Sequence, residues 1–236
     1  MNVSIVGDVQ QRTLEALESA HNYNAWLAEL VRPYLGDDPI EVGSGIGTNA
    51  RLLLEGGVTK LTLSEHGAVA VDDLRARFAT DPRVTVRTID LNDAPEAAFS
   101  ACLALNVLEH IDDDVVALRG AGRLVRPGGH VVMFVPAFSF AAGRFDRAIG
   151  HRRRYTRSTL SASFAAAGLE VEAVRYVNAP GLIAWTVMVK LLGRAPQEGM
   201  LLRAWDGSVI PVVRRVEQAW APPFGQSVLA VGRTPS

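Results

Sequence analysis

The chain holds 236 residues, 48% of them hydrophobic, with 24 Lys and Arg against 25 Asp and Glu, for a formal charge of −1. That length suits a single α/β domain with an ample core, and the balanced charge argues against a general electrostatic grip on nucleic acid. The lone cysteine, Cys102, excludes an internal disulfide framework and a multi-cysteine zinc site; in its apolar run it reads as a small buried hydrophobe.

The first residues show no basic segment followed by a long apolar core, so no signal peptide is expected and a cytoplasmic location is the default. From Thr13 to Tyr34 a stripe of Leu14, Leu17, His21, Trp26, Leu27, Leu30 and Val31 predicts helix, with a break near Asn22 and Asn24 and a limit at Pro33. Pro39 to Val42 reads as a strand that feeds the run Ile40-Glu41-Val42-Gly43-Ser44-Gly45-Ile46-Gly47-Thr48. A helix over Asn49 to Glu55 follows and stops at Gly56-Gly57.

Alternating units come next: strand Lys60 to Ser64, helix Ala68 to Ala79, strand Val84 to Ile89, a short helix Pro95 to Phe99, and a buried strand Ala101 to Leu105. Helix Asp113 to Leu124 leads through a Pro127-Gly128-Gly129 turn to strand His130 to Val135. This alternation implies a mostly parallel, doubly wound sheet. Beyond Pro136 the rhythm changes. Ala137 to Tyr155 reads as loop with one short helix, Ser158 to Ala167 as helix capped by Ser158 or Thr156, and Leu169 to Tyr176 as strand. A helical insertion, 178–223, precedes a last strand from Ser227 to Gly232. Its most apolar part, Gly181 to Gly193, contains Lys190 and falls short of the roughly 20 residues a membrane helix needs, so no stable membrane insertion is expected.

Glycines tolerate positive φ and, lacking Cβ, let the backbone approach a ligand closely. A dinucleotide fingerprint spaces them G-x-G-x-x-G. Here Gly43, Gly45 and Gly47 bring the third glycine one residue early. Glu65, about 20 residues on, stands where an acid can accept both hydroxyls of a ribose; its bland alternative is a surface acid at a strand end. Asp90 ends the third strand, where its local reading is a helix or turn cap before Asn92-Asp93. Asn106 stands at the mouth of the fourth strand and begins Asn106-Val107-Leu108-Glu109-His110-Ile111. His110 can serve as a general base or as a structural histidine, and Asp112 to Asp114 read as caps for the next helix.

In this order and spacing the motifs resemble those of class I S-adenosylmethionine (SAM)-dependent methyltransferases. The likeness rests on the acid–x–G–x–G–x–G loop, the ribose acid, the adenine Asp, an x-V-L-E-H post-strand motif, and the Arg126 to Gly129 turn, covering roughly residues 20 to 135. The resemblance implies a Rossmann-like seven-stranded sheet of order 3-2-1-4-5-7-6 with the last strand antiparallel. It implies one domain over 1–236: an N-terminal helical lid (1–36), a cofactor-binding half (37–136), and an acceptor-binding half (137–236). SAM would be the donor and S-adenosylhomocysteine the product. Cofactor contacts carry over to Tyr23, Glu41, Gly43, Ser44, Gly45, Gly47, Glu65, His66, Asp90, Leu91, Asn106 and Val107.

Gly150-His151-Arg152-Arg153-Arg154-Tyr155 looks like the G-H-x-R-R-Y signature of a bacterial subgroup that acts on small molecules. His151 and Tyr155 join His110 as candidate catalytic groups. Arg152, Arg153, Arg154 and Trp185 are candidate acceptor contacts, since guanidinium forks suit carboxylate or phosphate. Ion pairing of these arginines with Asp146 and other acids is the structural alternative. The expected reaction is in-line transfer of methyl to oxygen or nitrogen of a small acceptor, such as a natural product, a sugar or a carboxylate-bearing substrate. No metal is expected, because no carboxylate/amide cluster can be assembled from the sequence. The apolar residues of the insertion suit an acceptor pocket or a homodimer face. A non-catalytic cofactor-binding scaffold and a nicotinamide-dependent oxidoreductase are the rival readings.

Overall fold

A computed structural model describes residues 18–91, 96, 98–193 and 199–235. Leu14 and Leu17 of the N-terminal stripe lie outside them, as do Pro95 and Ala97 of the short helix expected at 95–99; its described residues are not helical, Glu96 lying in a bend and Phe99 opening a strand. Seven strands form one sheet: β1 Ile40–Val42, β2 Leu61–Ser64, β3 Val84–Arg87, β4 Phe99–Leu105, β5 Val125–Pro136, β6 Glu170–Val177 and β7 Ser227–Arg233. Their order is β3-β2-β1-β4-β5-β7-β6. β1 to β5 pair in parallel, and β7 runs antiparallel between β5 and β6. The Pro127-Gly128-Gly129 turn is absorbed within β5, where the register against β4 jumps from Phe99↔Val125 to Ala101↔His130.

Strand alternation divides the interior in two. Ile40, Val42, Cys102, Val131 and Met133 pack on one face of the sheet against α4 (Asp114–Leu124) and α6 (Arg157–Ala166). Leu63, Leu103, Val132 and Phe134 pack on the other against α1 (His21–Val31) and α2 (Thr48–Glu55). Helix α3 (Ala68–Arg77) flanks β2 and β3, and α5 (Arg144–Ala148) sits in the loop after β5.

Helix α1 begins at His21, so the break falls at Ser19-Ala20 and Asn22 and Asn24 lie inside the helix. A distant residue decides this. Asp206 of the insertion accepts from the backbone of Asn22 and Tyr23, each at 2.9 Å, and so caps the helix. The insertion forms α7 (Ala179–Trp185), which runs into a π-helical turn (Thr186–Leu191), then α8 (Met200–Ser208) and α9 (Ile210–Ala219). Glu217 of α9 in turn accepts from the amides of Asn178 and Ala179 at the start of α7. None of the described helices is long and apolar enough to cross a membrane.

Candidate active site

The order of the strands reverses between β1 and β4, and a crevice opens there beyond their carboxyl ends, as expected for open α/β sheets. A cavity of about 560 Å³ fills it. Its floor is the glycine loop. The amides of Gly43 and Ser44 donate to the Ser64 carbonyl at 2.8 and 3.1 Å, which ties the loop to the end of β2. Gly43, Gly45 and Gly47 all have positive φ, at 71°, 54° and 80°. A Cβ on Gly43 would lie 2.4 Å from Val107 Cγ2, and one on Gly47 2.6 Å from Phe78 Cε2. The loop is therefore glycine for both torsional and steric reasons.

Glu65 leaves the end of β2. One oxygen accepts from the Gly45 amide at 2.8 Å and the other from the His66 amide at 2.7 Å. Both oxygens are thereby held beside the loop with lone pairs to spare. Asp90 and Leu91 line the cavity beyond β3. Ser64 Oγ accepts from the Ile89 amide at 3.0 Å and holds that segment in place. Asn106 has φ 55°, uncommon for a residue other than glycine, at the tip of β4, and its amide donates to the Phe134 carbonyl. With Val107 it borders the cavity.

Glu41 lies behind the loop. It pairs in register with Leu63 and Leu103, so it points into the apolar layer those residues build. Burial pushes its carboxyl up to about 8, opposed by a hydrogen bond from Ser44. Glu41 Oε2, Thr48 Oγ1 and Asn49 Oδ1 are buried without hydrogen-bond partners around this loop. Orphaned polar atoms beside a pinned glycine loop, with a ribose-type carboxylate and a base-type Asp next to it, fit a nucleoside bearing a polar tail.

The opposite wall comes from the segments after β4 and β5. His110, in a short 3-10 turn (Leu108–His110), stands edge-on to His151 with ring centroids 4.7 Å apart. His151 Nδ1 is 3.1 Å from Asp146, and its Nε2 is 3.6 Å from Glu109. Burial opposes ionisation of Asp146. Hydrogen bonds from His151, Arg154 and the Gly143 amide, with the Arg154 charge, still hold its carboxyl well below the usual range. Glu109 is fully buried, which pushes it up to about 8. Burial and the neighbouring His151 bring His110 down to about 4. Arg154 Nε donates to Asp146 at 2.7 Å, and its guanidinium stacks 5.1 Å over Trp185, which also meets Phe145 edge-on.

Five residues of the expected set stand off the cavity: Glu41 and Gly47 behind or within the loop, and Arg152, Arg153 and Tyr155 beyond the opposite wall. Tyr155 is buried and its hydroxyl donates to Asp114 Oδ2 at 3.0 Å; burial and Asp114 raise the phenol far above its ordinary range. Arg153 pairs with Asp114 at 3.1 Å and donates to the Ile111 and Asp112 carbonyls. Arg152 donates to the His110 carbonyl at 2.9 Å and pairs with Asp112. Thus two of the three arginines stitch the His151 loop to the segment after β4. Arg154, already paired with Asp146, faces the cavity along with Tyr23, His110, His151 and Trp185. The wall also holds Asn24, Phe145, Ile149, Gln226 and Ser227, for none of which the sequence offers a chemical role. Tyr23, pushed by burial to about 12, and Ser227 bring α1 and the start of β7 to the same cavity.

Residues 40–133 match the family model described as a methyltransferase domain. Over 142 residues the chain is 30% identical to a probable S-adenosylmethionine-dependent methyltransferase of Mycolicibacterium smegmatis, covering 58% of this chain and 53% of that protein. Over 98 residues it is 36% identical to a ubiquinone biosynthesis O-methyltransferase of Alkalilimnicola ehrlichii, covering 39% of each. The chain thus spans about half or less of the length of these curated relatives. A solved geranyl diphosphate methyltransferase in complex with SAM superposes with a TM-score of 0.61 at 16% identity, covering 89% of this chain and 84% of that one. Residues 40–133 thus resemble a methyltransferase domain, and the seven-stranded sheet has the strand order of the Rossmann-like methyltransferase fold.

Proposed function

We propose that this protein transfers the methyl group of SAM to an oxygen or nitrogen of a small-molecule acceptor. One observation carries the reading: a single cavity has the glycine loop, Glu65 and Asp90 on one side and His110, His151, Arg154 and Trp185 on the other. A donor and an acceptor can therefore lie face to face.

SAM supplies an already activated methyl, so the chain's task is positioning and exclusion of water. Glu65 would hold the ribose hydroxyls, Asp90 with the Leu91 amide the adenine, and the loop backbone with Asn106 the amino-acid end. Trp185, Phe145 and Ile149 offer apolar surface to an acceptor. Asp146 occupies the Nδ1 edge of His151, so Nε2, 3.6 Å from the Glu109 carboxyl, is the nitrogen that would take a proton from an acceptor hydroxyl or ammonium in the metal-free protein. Arg154 is neutralised by Asp146, and Arg152 and Arg153 are spent on the loop, so this arrangement favours an acceptor without a carboxylate or phosphate at that wall. We assign Arg152, Arg153 and Tyr155 to positioning of the His151 loop rather than to contact with the acceptor.

Calorimetric titration with S-adenosylhomocysteine, with NAD as control, tests the cofactor half. Binding of the former alone is expected, with Glu65→Ala weakening it by about 1–3 kcal/mol. Binding of NAD instead would overturn the proposal. A panel of phenolic, hydroxylated and amine acceptors with labelled SAM tests the transfer.

A further inference from the structure

We infer that Glu109, His110 and His151 form a site for one divalent first-row transition-metal ion at the acceptor wall. Among the described residues these three bring one ligand atom each within 4.8 Å of one another. An ion with bonds of about 2.0–2.2 Å bridges ligand pairs somewhat closer than that, so small side-chain rotations would close the set. Two imidazoles and one carboxylate suit Mn, Fe, Co, Ni or Zn rather than Mg or Ca, which prefer oxygen donors.

Three independent features support the assignment. Neither carboxyl oxygen of Glu109 finds a hydrogen-bond partner, although the residue is wholly buried. A buried carboxyl in that state is costly unless something pairs with it. His151 is braced from behind, with Asp146 3.1 Å from its Nδ1. A carboxylate behind a ligating imidazole is the usual arrangement for orienting its other nitrogen toward a metal. Asp146 is itself fixed by Arg154 at 2.7 Å and by the Gly143 amide at 2.8 Å. Finally, the histidines border the cavity while Glu109 lies behind them, so an ion held by the three would keep open positions toward a ligand in the cavity. There it would act as a Lewis acid on an acceptor oxygen. That use rests on the methyl-transfer proposal; the binding of the ion does not.

The test is titration of chelator-stripped protein with Co²⁺, followed by visible absorption and calorimetry, with Zn²⁺ as competitor. One equivalent is expected to bind with ligand-field bands, and Zn²⁺ is expected to displace it. His151→Asn and Glu109→Gln should abolish the bands, Asp146→Asn should weaken binding about 10- to 100-fold, and His130→Asn, remote from the cluster, should change nothing. S-adenosylhomocysteine affinity, measured on every variant, reports folding and keeps the cofactor reading separate. Absence of Co²⁺ binding, or binding that persists in His151→Asn, would overturn the metal site, whatever S-adenosylhomocysteine does.

Discussion

Gly43 combines a φ of 71° with no room for a Cβ, since Val107 Cγ2 would stand 2.4 Å away. Gly43→Ala should lower S-adenosylhomocysteine affinity more than tenfold, as a rough scale for a loop forced off its pinned path. Adding Val107→Ala relieves the clash but not the torsion, so calorimetry on the double variant should recover only part of the loss. Glu41 leads to a prediction in pH. Its folded-state value is raised to about 8 by burial. Between the ordinary carboxylate range and that value the native protein keeps a proton that the unfolded chain has released. Stability from this group therefore falls as pH rises through the window. The melting temperature of ligand-free protein should drop between about pH 5 and pH 8, and less steeply in Glu41→Gln. Equal slopes in the two proteins would show that Glu41 does not hold the proton.

At the scale of elements, the junction between α1 and the insertion stands out. Asp206 caps α1 from 184 positions away in sequence, and Arg214 pairs with Glu29 of the same helix at 2.7 Å. Asp206→Ala should cost about 1–2 kcal/mol of stability, the usual value of a lost N-cap, readable by urea denaturation. Tyr23 lies in the first turn of α1 and borders the cavity, so a loosened helix should also weaken cofactor binding. An unchanged S-adenosylhomocysteine affinity would separate the cap from the site. The His151 loop is a second such junction. Arg153→Ala removes contacts to Asp114 and to two carbonyls, none of which borders the donor side of the cavity. It should lower thermal stability while leaving S-adenosylhomocysteine affinity unchanged, and unchanged stability would contradict the positioning role.

Across the whole molecule, the sheet places apolar layers on both faces and a crevice at its carboxyl edge, closed by segments far apart in the chain. Ligand binding that draws on α1, the glycine loop and the β7 end should stabilise the fold as one unit. At about 100 times its dissociation constant, S-adenosylhomocysteine should add about 2.7 kcal/mol, visible as a shifted melting transition, while NAD adds nothing.

The strand–helix rhythm, the glycine loop and the acid Glu65 at its spacing were legible in the chain itself because each is a local signal, whereas the place of Asp90 came from the resemblance. Periodicity reports burial along one element, and a loop that must turn tightly against a ligand needs glycine at set intervals. Helix α4 with Asp113 as cap and α6 with Thr156 as cap followed from the same kind of local chemistry. The break before α1 was misplaced because Asp206, not the local asparagines, decides where that helix starts. The arginine run was legible as a cluster but not as a function. Each guanidinium's partner is set by which acid the fold brings near: Asp112 for Arg152, Asp114 for Arg153, Asp146 for Arg154. Nothing in spacing alone joins Glu109 and His110, at the end of β4, to His151, some 40 residues later. Tertiary packing alone creates that contact, because charge pairing and metal geometry depend on distances between segments that the order of residues does not encode.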